Sequence, residues 1–341
     1  MCLPPSLITN SEGDLKQVIS KQWLSAACAG AVLALGVAAC GDDDSSEASS
    51  GDDGASGLSG SITIDGSSTV QPFAEAAAEL FNDANPDVNI TVGAAGTSGG
   101  FEKFCAGETD ISDASRPIEP EEVDACKKGG VSYFDFQVAN DGISIVTNPS
   151  LDISCLTTDQ LRQLWADDKV TSYSQLGTDA DTGDALPDAS VSLYGPGTDS
   201  GTFDYFTDVI NGEEGVSRKD YTPSEDDNVL VQGVEGDQDA LGYFGFSYYE
   251  QNQDALNLVS VDDGKGCVAP SADTIQDGSY APLSRPIFMY PSEDAVQKPE
   301  VKAFVQFVAD NYDQIAESAL VVPMDDQQGS EAQAAVGKAV G

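Results

Sequence analysis

The sequence contains no histidine. That removes the imidazole base and the imidazole metal ligand from every mechanism open to the chain. Basic residues are scarce as well: 15 Lys and Arg stand against 58 Asp and Glu, a formal charge of −43. A surface of that sign repels nucleic acid and anionic headgroups, so no nucleic-acid role is expected. P-loop and CxxC patterns are also missing, which leaves nucleotide chemistry and a cysteine metal site without their usual parts. The rest is ordinary: 40% hydrophobic and 21% charged residues describe a soluble globular protein,. A chain of 341 residues is long enough for two lobes with separate cores,.

The beginning of the chain reads as a targeting segment. Lys16 and Lys21 precede an uncharged apolar run from Trp23 to Ala39. The run is slightly short for a membrane span and suits a signal-peptide core. It ends in Val37-Ala38-Ala39-Cys40, which resembles the bacterial lipobox, where cleavage precedes a cysteine that takes diacylglycerol. Residues 1–39 are therefore expected to be a signal peptide of the lipoprotein type, with Cys40 lipidated; the competing reading is a retained anchor helix. The stretch before Lys16 is long and carries Glu12 and Asp14, so the functional start is expected downstream, for example at Val18. Residues 41–60 are mostly Gly, Ser and Asp. With almost nothing to bury, they read as a flexible tether, making 40–60 the lipidated linker and 61–341 the folded part.

From Ser61 onward, strand and helix signals alternate. Residues 62–64 and 88–92 read as strands, and Phe73, Ala77, Leu80, Phe81 and Ala84 recur at helical spacing behind Pro72,. Pro120-Glu121-Glu122 opens a helix that closes at Lys127-Lys128-Gly129, with charges matching the helix dipole at each end,. Residues 133–140 and 142–148 read as two strands, 157–165 as a capped helix and 191–195 as a strand. Further strands are expected at 240–249, 256–261 and 284–291, with a C-terminal helix at 302–312. The alternation predicts an α/β fold with largely buried sheets. The acidic stretch 179–188 looks faintly like a calcium loop, but its Gly183-Asp184 order is reversed relative to that pattern, so it reads as a surface loop,.

Three loops share one design, in which a strand ends, small hydroxylated and glycine residues follow, and a helix begins. They are Gly66-Ser67-Ser68-Thr69-Val70, Gly96-Thr97-Ser98-Gly99-Gly100 and Thr198-Asp199-Ser200-Gly201-Thr202. Glycine lets backbone approach a ligand closely, and the first N–H groups of a helix have no intrahelical acceptor. The dipole there favours negative charge. Each loop alone is equally an ordinary N-cap or turn. Three of them converging would surround a tetrahedral anion with donors and few formal charges.

The segments GSSTVQPFAEAAAELF, GTSGGFEKFCAGETDISDASRPI, GPGTDSGTFDYF, ALGYFGFSYY and PLSRPIFMYP resemble the phosphate-binding proteins of phosphate-specific ABC transporters, in the right order over nearly all of residues 61–325. The resemblance implies the type II periplasmic-binding-protein fold: two α/β lobes, each a mixed sheet flanked by helices, joined by crossing strands near 139–148 and 282–291. Lobe one would be 61–143 plus 286–341, and lobe two 144–285. It implies inorganic phosphate as ligand, a permease as partner, a membrane reached through the lipid anchor, a monomer, and no cofactor. Once Cys2 and Cys28 leave with the signal peptide and Cys40 takes lipid, four cysteines remain. Cys105–Cys126 and Cys155–Cys267 are expected, since each pair then lies within one lobe.

Carried over residue by residue, the resemblance makes Thr69 a ligand, with Val70 donating its N–H and Ser68 adjacent. Ser98 would donate from the second helix start, and Ser200, Gly201 and Thr202 from the opposite lobe. The family pattern has an aspartate after the first-lobe Ala-Ser and an arginine before the second-lobe Ser-Gly-Thr; this chain has Arg116 and Pro196 there. Arg116 is accordingly expected to supply positive charge, and Asp199 or Asp141 to accept the anion's proton. Alternatives are another tetrahedral oxyanion such as sulfate or molybdate, a surface sensor or adhesin, and, less favoured, a phosphate-ester hydrolase.

Overall fold

The computed structural model describes residues 57–198 and 200–341. The segment expected to be a signal peptide, Cys40 and nearly all of the expected tether lie outside the described residues, as does Asp199. The first part of the chain runs β1 (Gly60–Gly66), α1 (Gln71–Ala84), β2 (Val88–Val92), α2 (Thr97–Cys105), β3 (Ile111–Ala114) and α3 (Pro120–Gly129). The long β4 (Phe136–Thr147) leads into β5 (Cys155–Thr157), α4 (Thr158–Ala166), β6 (Ser192–Pro196), α5 (Gly201–Phe206) and β7 (Thr222–Ser224). Then come α6 (Asp227–Gly236), β8 (Ala240–Gly245), α7 (Phe246–Asn252), β9 (Asn257–Asp262), β10 (Cys267–Val268) and α8 (Ala272–Gln276). The chain returns through β11 (Ser284–Pro291) to α9 (Pro299–Asp310), α10 (Tyr312–Ser318) and α11 (Asp326–Val340).

Strand order β2-β1-β3-β11-β4-β8-β6-β7 makes one continuous path, and β4 is its pivot. The first half of β4 pairs antiparallel with β11, from Phe136 opposite Met289 to Gly142 opposite Ser284. Its second half pairs with β8, from Ile143 opposite Gly245 to Thr147 opposite Leu241. A single strand thus serves two lobes. Each has its own core. Lobe one packs α1, α9 and α11 on β1, β3 and β11 through residues such as Phe73, Phe81, Ile62, Met289, Phe304 and Val336. Lobe two centres on Trp165, Phe206 and Tyr243, with Phe206 stacked on Tyr243 at 3.9 Å and Trp165 edge-on to it. Each such buried aromatic contributes on the order of 2 kcal/mol. Cys105–Cys126 ties α2 to α3, and Cys155–Cys267 ties β5 to β10.

The pattern expectations meet the structure with two departures. The two strands expected over 133–148 are one strand. Gly142 lies inside it, close under α8, where a side chain would run into Ile275. The strand expected over 240–249 stops at Gly245, and Phe246 opens α7 instead. The C-terminal helix read at 302–312 is the body of α9, and two further helices follow it. In the stretch 179–188, Asp179 is buried and accepts from Ser154, Cys155, Asp181 and Thr182, so its carboxylate serves the loop itself.

Candidate functional site

Strands β1 and β6, each paired parallel with neighbours in its own lobe, both end at the junction between the lobes, and each delivers a loop and a helix start there. The β1–α1 loop bends over Asp113 of β3: Ser67 N–H donates to the Asp113 carbonyl at 2.9 Å. Val70 N–H closes a turn onto Ser67 O at 3.0 Å, and Thr69 N–H reaches Ser67 Oγ at 3.2 Å. From the other lobe, Ser200 caps α5, its Oγ accepting from Thr202 N–H at 3.2 Å. The two loops touch. A Cβ on Gly201 would lie 2.6 Å from Thr69 N and 2.7 Å from Ser68 Oγ, so only glycine fits between the lobes at this point.

Around that contact lies a cleft of about 390 Å³. Ser68, Thr69, Ser98, Arg116 and Gly201 line it, together with Arg285, which the sequence pattern did not single out. Val70 and Thr202 have their amides committed to the turns just described. Asp141 stands behind Arg285, directly opposite it in the β4–β11 ladder.

The two arginines are held differently. Arg116 gives Nη1 to Glu122 Oε2 at 2.9 Å and Pro117 O at 3.2 Å, and Nη2 to Glu122 Oε1 at 2.8 Å and Ser98 Oγ at 2.9 Å. Its Nε lies 3.4 Å from Glu119 Oε1. Both terminal nitrogens of this guanidinium therefore donate to protein acceptors, and its Nε is ion-paired with Glu119. The Glu122 hydrogen bonds, opposed by burial, raise its already high pKa further. This departs from the expectation that Arg116 presents its charge directly to an anion, because the α3 capping-box carboxylate has taken it. Arg285 gives Nε to Asp141 Oδ2 at 3.2 Å and Nη2 to Thr69 Oγ1 at 2.7 Å, and its guanidinium lies 3.6 Å over the Tyr205 ring. Its other N–H donors have no acceptor among the described residues. Tyr205 in turn donates its hydroxyl to Pro282 O at 2.5 Å and Ser284 O at 3.1 Å, tying α5 to the start of β11.

Acidic groups nearby are unequal. Asp113 is fully buried with neither carboxyl oxygen partnered; burial, then the charge of Asp65, pushes its pKa well above the usual carboxylate range. Asp227, at the start of α6 beside Gly245, is pushed up to about 6 by burial, against the Gly245 N–H and with help from Asp226 and Asp141. No cluster of metal-ligating side chains occurs among the described residues.

Residues 48–311 match the profile described as the PBP superfamily domain. The chain is 35% identical over 326 residues to the phosphate-binding protein PstS of Staphylococcus saprophyticus, an alignment covering 94% of this chain and 96% of that one. The chain belongs to the PstS family of the PBP superfamily. It is also 44% identical over 267 residues to Protein SphX of Synechococcus elongatus, 77% of each chain. Among solved structures, a possible phosphate binding protein from Planctomyces limnophilus superposes with a TM-score of 0.76 at 42% identity, covering 83% of this chain and 100% of that one. The doubly connected two-lobe architecture is thus that of the family, and the arginine on β11 sits where its lobes meet.

Proposed function

We propose that this PstS-family chain captures inorganic phosphate outside the cytoplasmic membrane and hands it to the permease of an ABC transporter. The observation that carries the reading is Arg285: a guanidinium fixed at the lobe junction by Asp141, Thr69 and Tyr205, with donors unspent toward the cleft. Around it stand the hydroxyls of Ser68, Thr69 and Ser98, and the Gly201 amide beside Ser200. A tetrahedral oxyanion would receive one formal positive charge and a ring of neutral donors. Asp199, next to Ser200, is the acceptor we assign for a protonated anion; such a carboxylate rejects fully ionised sulfate. The lobes, taken as 61–143 with 286–341 and 144–285, would close over the anion as a monomer, with β4 and β11 as the hinge. We place the chain on the outer face of the cytoplasmic membrane through lipid on Cys40, with the acidic tether as spacer.

Calorimetry on phosphate-stripped protein tests the reading with a panel of phosphate, arsenate, sulfate and molybdate. Phosphate and arsenate should bind and compete, with sulfate and molybdate weaker by at least a factor of about ten, the effect of one mispaired polar contact. Stronger binding of sulfate than phosphate would reassign the ligand.

A further inference from the structure

The two arginines of the cleft share one arrangement, in which a carboxylate holds a guanidinium and the guanidinium donates to a loop hydroxyl. On one side the order is Asp141, Arg285, Thr69. On the other it is Glu122, Arg116, Ser98. A hydroxyl owns one proton and two lone-pair directions. When a charged N–H occupies a lone pair, the hydroxyl's own proton must seek an acceptor elsewhere, and the polarised O–H is a stronger donor. Neither Ser98 Oγ nor Thr69 Oγ1 has a protein acceptor among the described residues, and both line the cleft.

We propose that Arg116 is a positioning residue that acts through Ser98: it locks the serine as a hydroxyl donor facing the cleft and itself makes no contact with the anion. The inference rests on the reading that the cleft takes an oxyanion. Several features make the lock rigid. Glu122 is bidentate to Arg116 and also accepts Glu119 N–H at 2.8 Å, so the carboxylate is fixed at the start of α3. Thr97, beside Ser98, meets the Ser115 hydroxyl at 3.2 Å and accepts its N–H at 3.3 Å, which clamps the start of α2 to the loop that carries Arg116. The device turns a paired charge into donor character on a neutral group. The wall beside the anion then offers protons while the charge itself stays paired with Glu122.

A thermodynamic cycle separates this role from direct ligation. Phosphate is titrated into stripped wild type, Ser98→Ala, Arg116→Gln and the double variant, with thermal unfolding as a check on folding. Each single change should weaken phosphate binding by about five- to tenfold, and the double variant should be within about twofold of Ser98→Ala alone, because Arg116 has nothing left to position. A loss in the double variant equal to the product of the two singles would overturn the proposal, as would an Arg116→Gln variant with wild-type affinity. If Arg116→Gln fails to fold, Glu122→Gln, which keeps the arginine but loosens its anchor, takes its place in the cycle, and the same two results would overturn the proposal. A wild-type chain that takes up no phosphate removes the reading beneath the inference, whereas a multiplicative cycle removes the inference alone.

Discussion

Arg285→Gln should abolish most of the affinity of the cleft while leaving its shape. Glutamine retains an amide that can reach toward Thr69 but loses the charge, the planar fork and the face that stacks on Tyr205. A charge-assisted hydrogen bond contributes about 1.5–3 kcal/mol net, so phosphate binding should weaken by about 10- to 150-fold. The same change strands Asp141, which is 6% exposed and is held by Arg285 Nε. Breaking a buried pair by removing one partner costs about 3–5 kcal/mol of stability, so Arg285→Gln should also melt early. Loss of affinity and loss of fold are separable. Asp141→Asn combined with Arg285→Gln removes the stranded charge, so the double variant should regain much of the unfolding midpoint yet bind phosphate no better than Arg285→Gln. Calorimetry and chemical denaturation on wild type and the two variants give both readings. An Arg285→Gln protein that binds phosphate within twofold of wild type would refute the argument. So would a double variant that recovers affinity along with stability.

Gly201→Ala should act on closure alone. The added Cβ would meet Thr69 N and Ser68 Oγ across the lobe junction, and overpacking of this kind costs about 1–3 kcal/mol, or about 5- to 150-fold in phosphate affinity. The unfolding midpoint without phosphate should move little, because parting the lobes relieves the clash; equal losses in both measurements would place the strain inside one lobe instead. Asp227 sets a pH dependence whose sign is fixed by its folded-state pKa, pushed up to about 6 from the ordinary 3.8. The stability it allows is fully present below the unfolded value and is lost as pH rises through about 6, on the order of 3 kcal/mol in total. Asp227→Asn should therefore flatten the stability profile between pH 4 and pH 7 in urea titrations, and an unchanged slope would show that Asp227 is not the group responsible.

Much of the cleft wall was legible because it is local. A strand end, a hydroxyl-glycine loop and a helix start leave a contiguous signature, and Ser68, Thr69, Ser98 and Gly201 all line the cleft. Helix α3 announced itself at each end, through Pro120 with its acidic first turn and through Lys127 and Lys128 before Gly129. Arg285 was not legible in the same way. Its segment reads as an ordinary strand, and its place in the cleft depends on pairing with Asp141, 144 positions earlier in the chain. A usable signal was present: the segment falls on a predicted crossing between lobes and carries one of the few arginines in a very acidic chain. Arg116 shows the converse. Its motif context is right for a ligand, but Glu122, six residues on and itself a routine capping residue, takes the charge. The strand expected over 240–249 ends at Gly245, opposite Ile143, and the residues after it form α7.

How a chain of charge −43 takes up an anion follows from where its charges are spent. Long-range steering works against capture, since the surface field repels a dianion before contact. At the cleft, Arg116 is neutralised by Glu122 and Arg285 is partly offset by Asp141. Asp204, Asp208 and Glu214 line the same cleft, so an entering phosphate meets no attractive net field, and what remains is geometry: hydroxyl protons fixed by guanidinium donors, helix-start amides, and the unspent N–H groups of Arg285. Such contacts operate over hydrogen-bond distances, well inside the roughly 8 Å Debye length of physiological salt. Affinity should then change little between low and high chloride, or rise modestly as salt screens the acidic surface. A site that relied on a positive field would lose affinity steeply over the same range. A steep loss with chloride would show that arginine charge, rather than positioned hydrogen-bond donors, holds the anion, and would count against the Arg116–Ser98 relay at the same time.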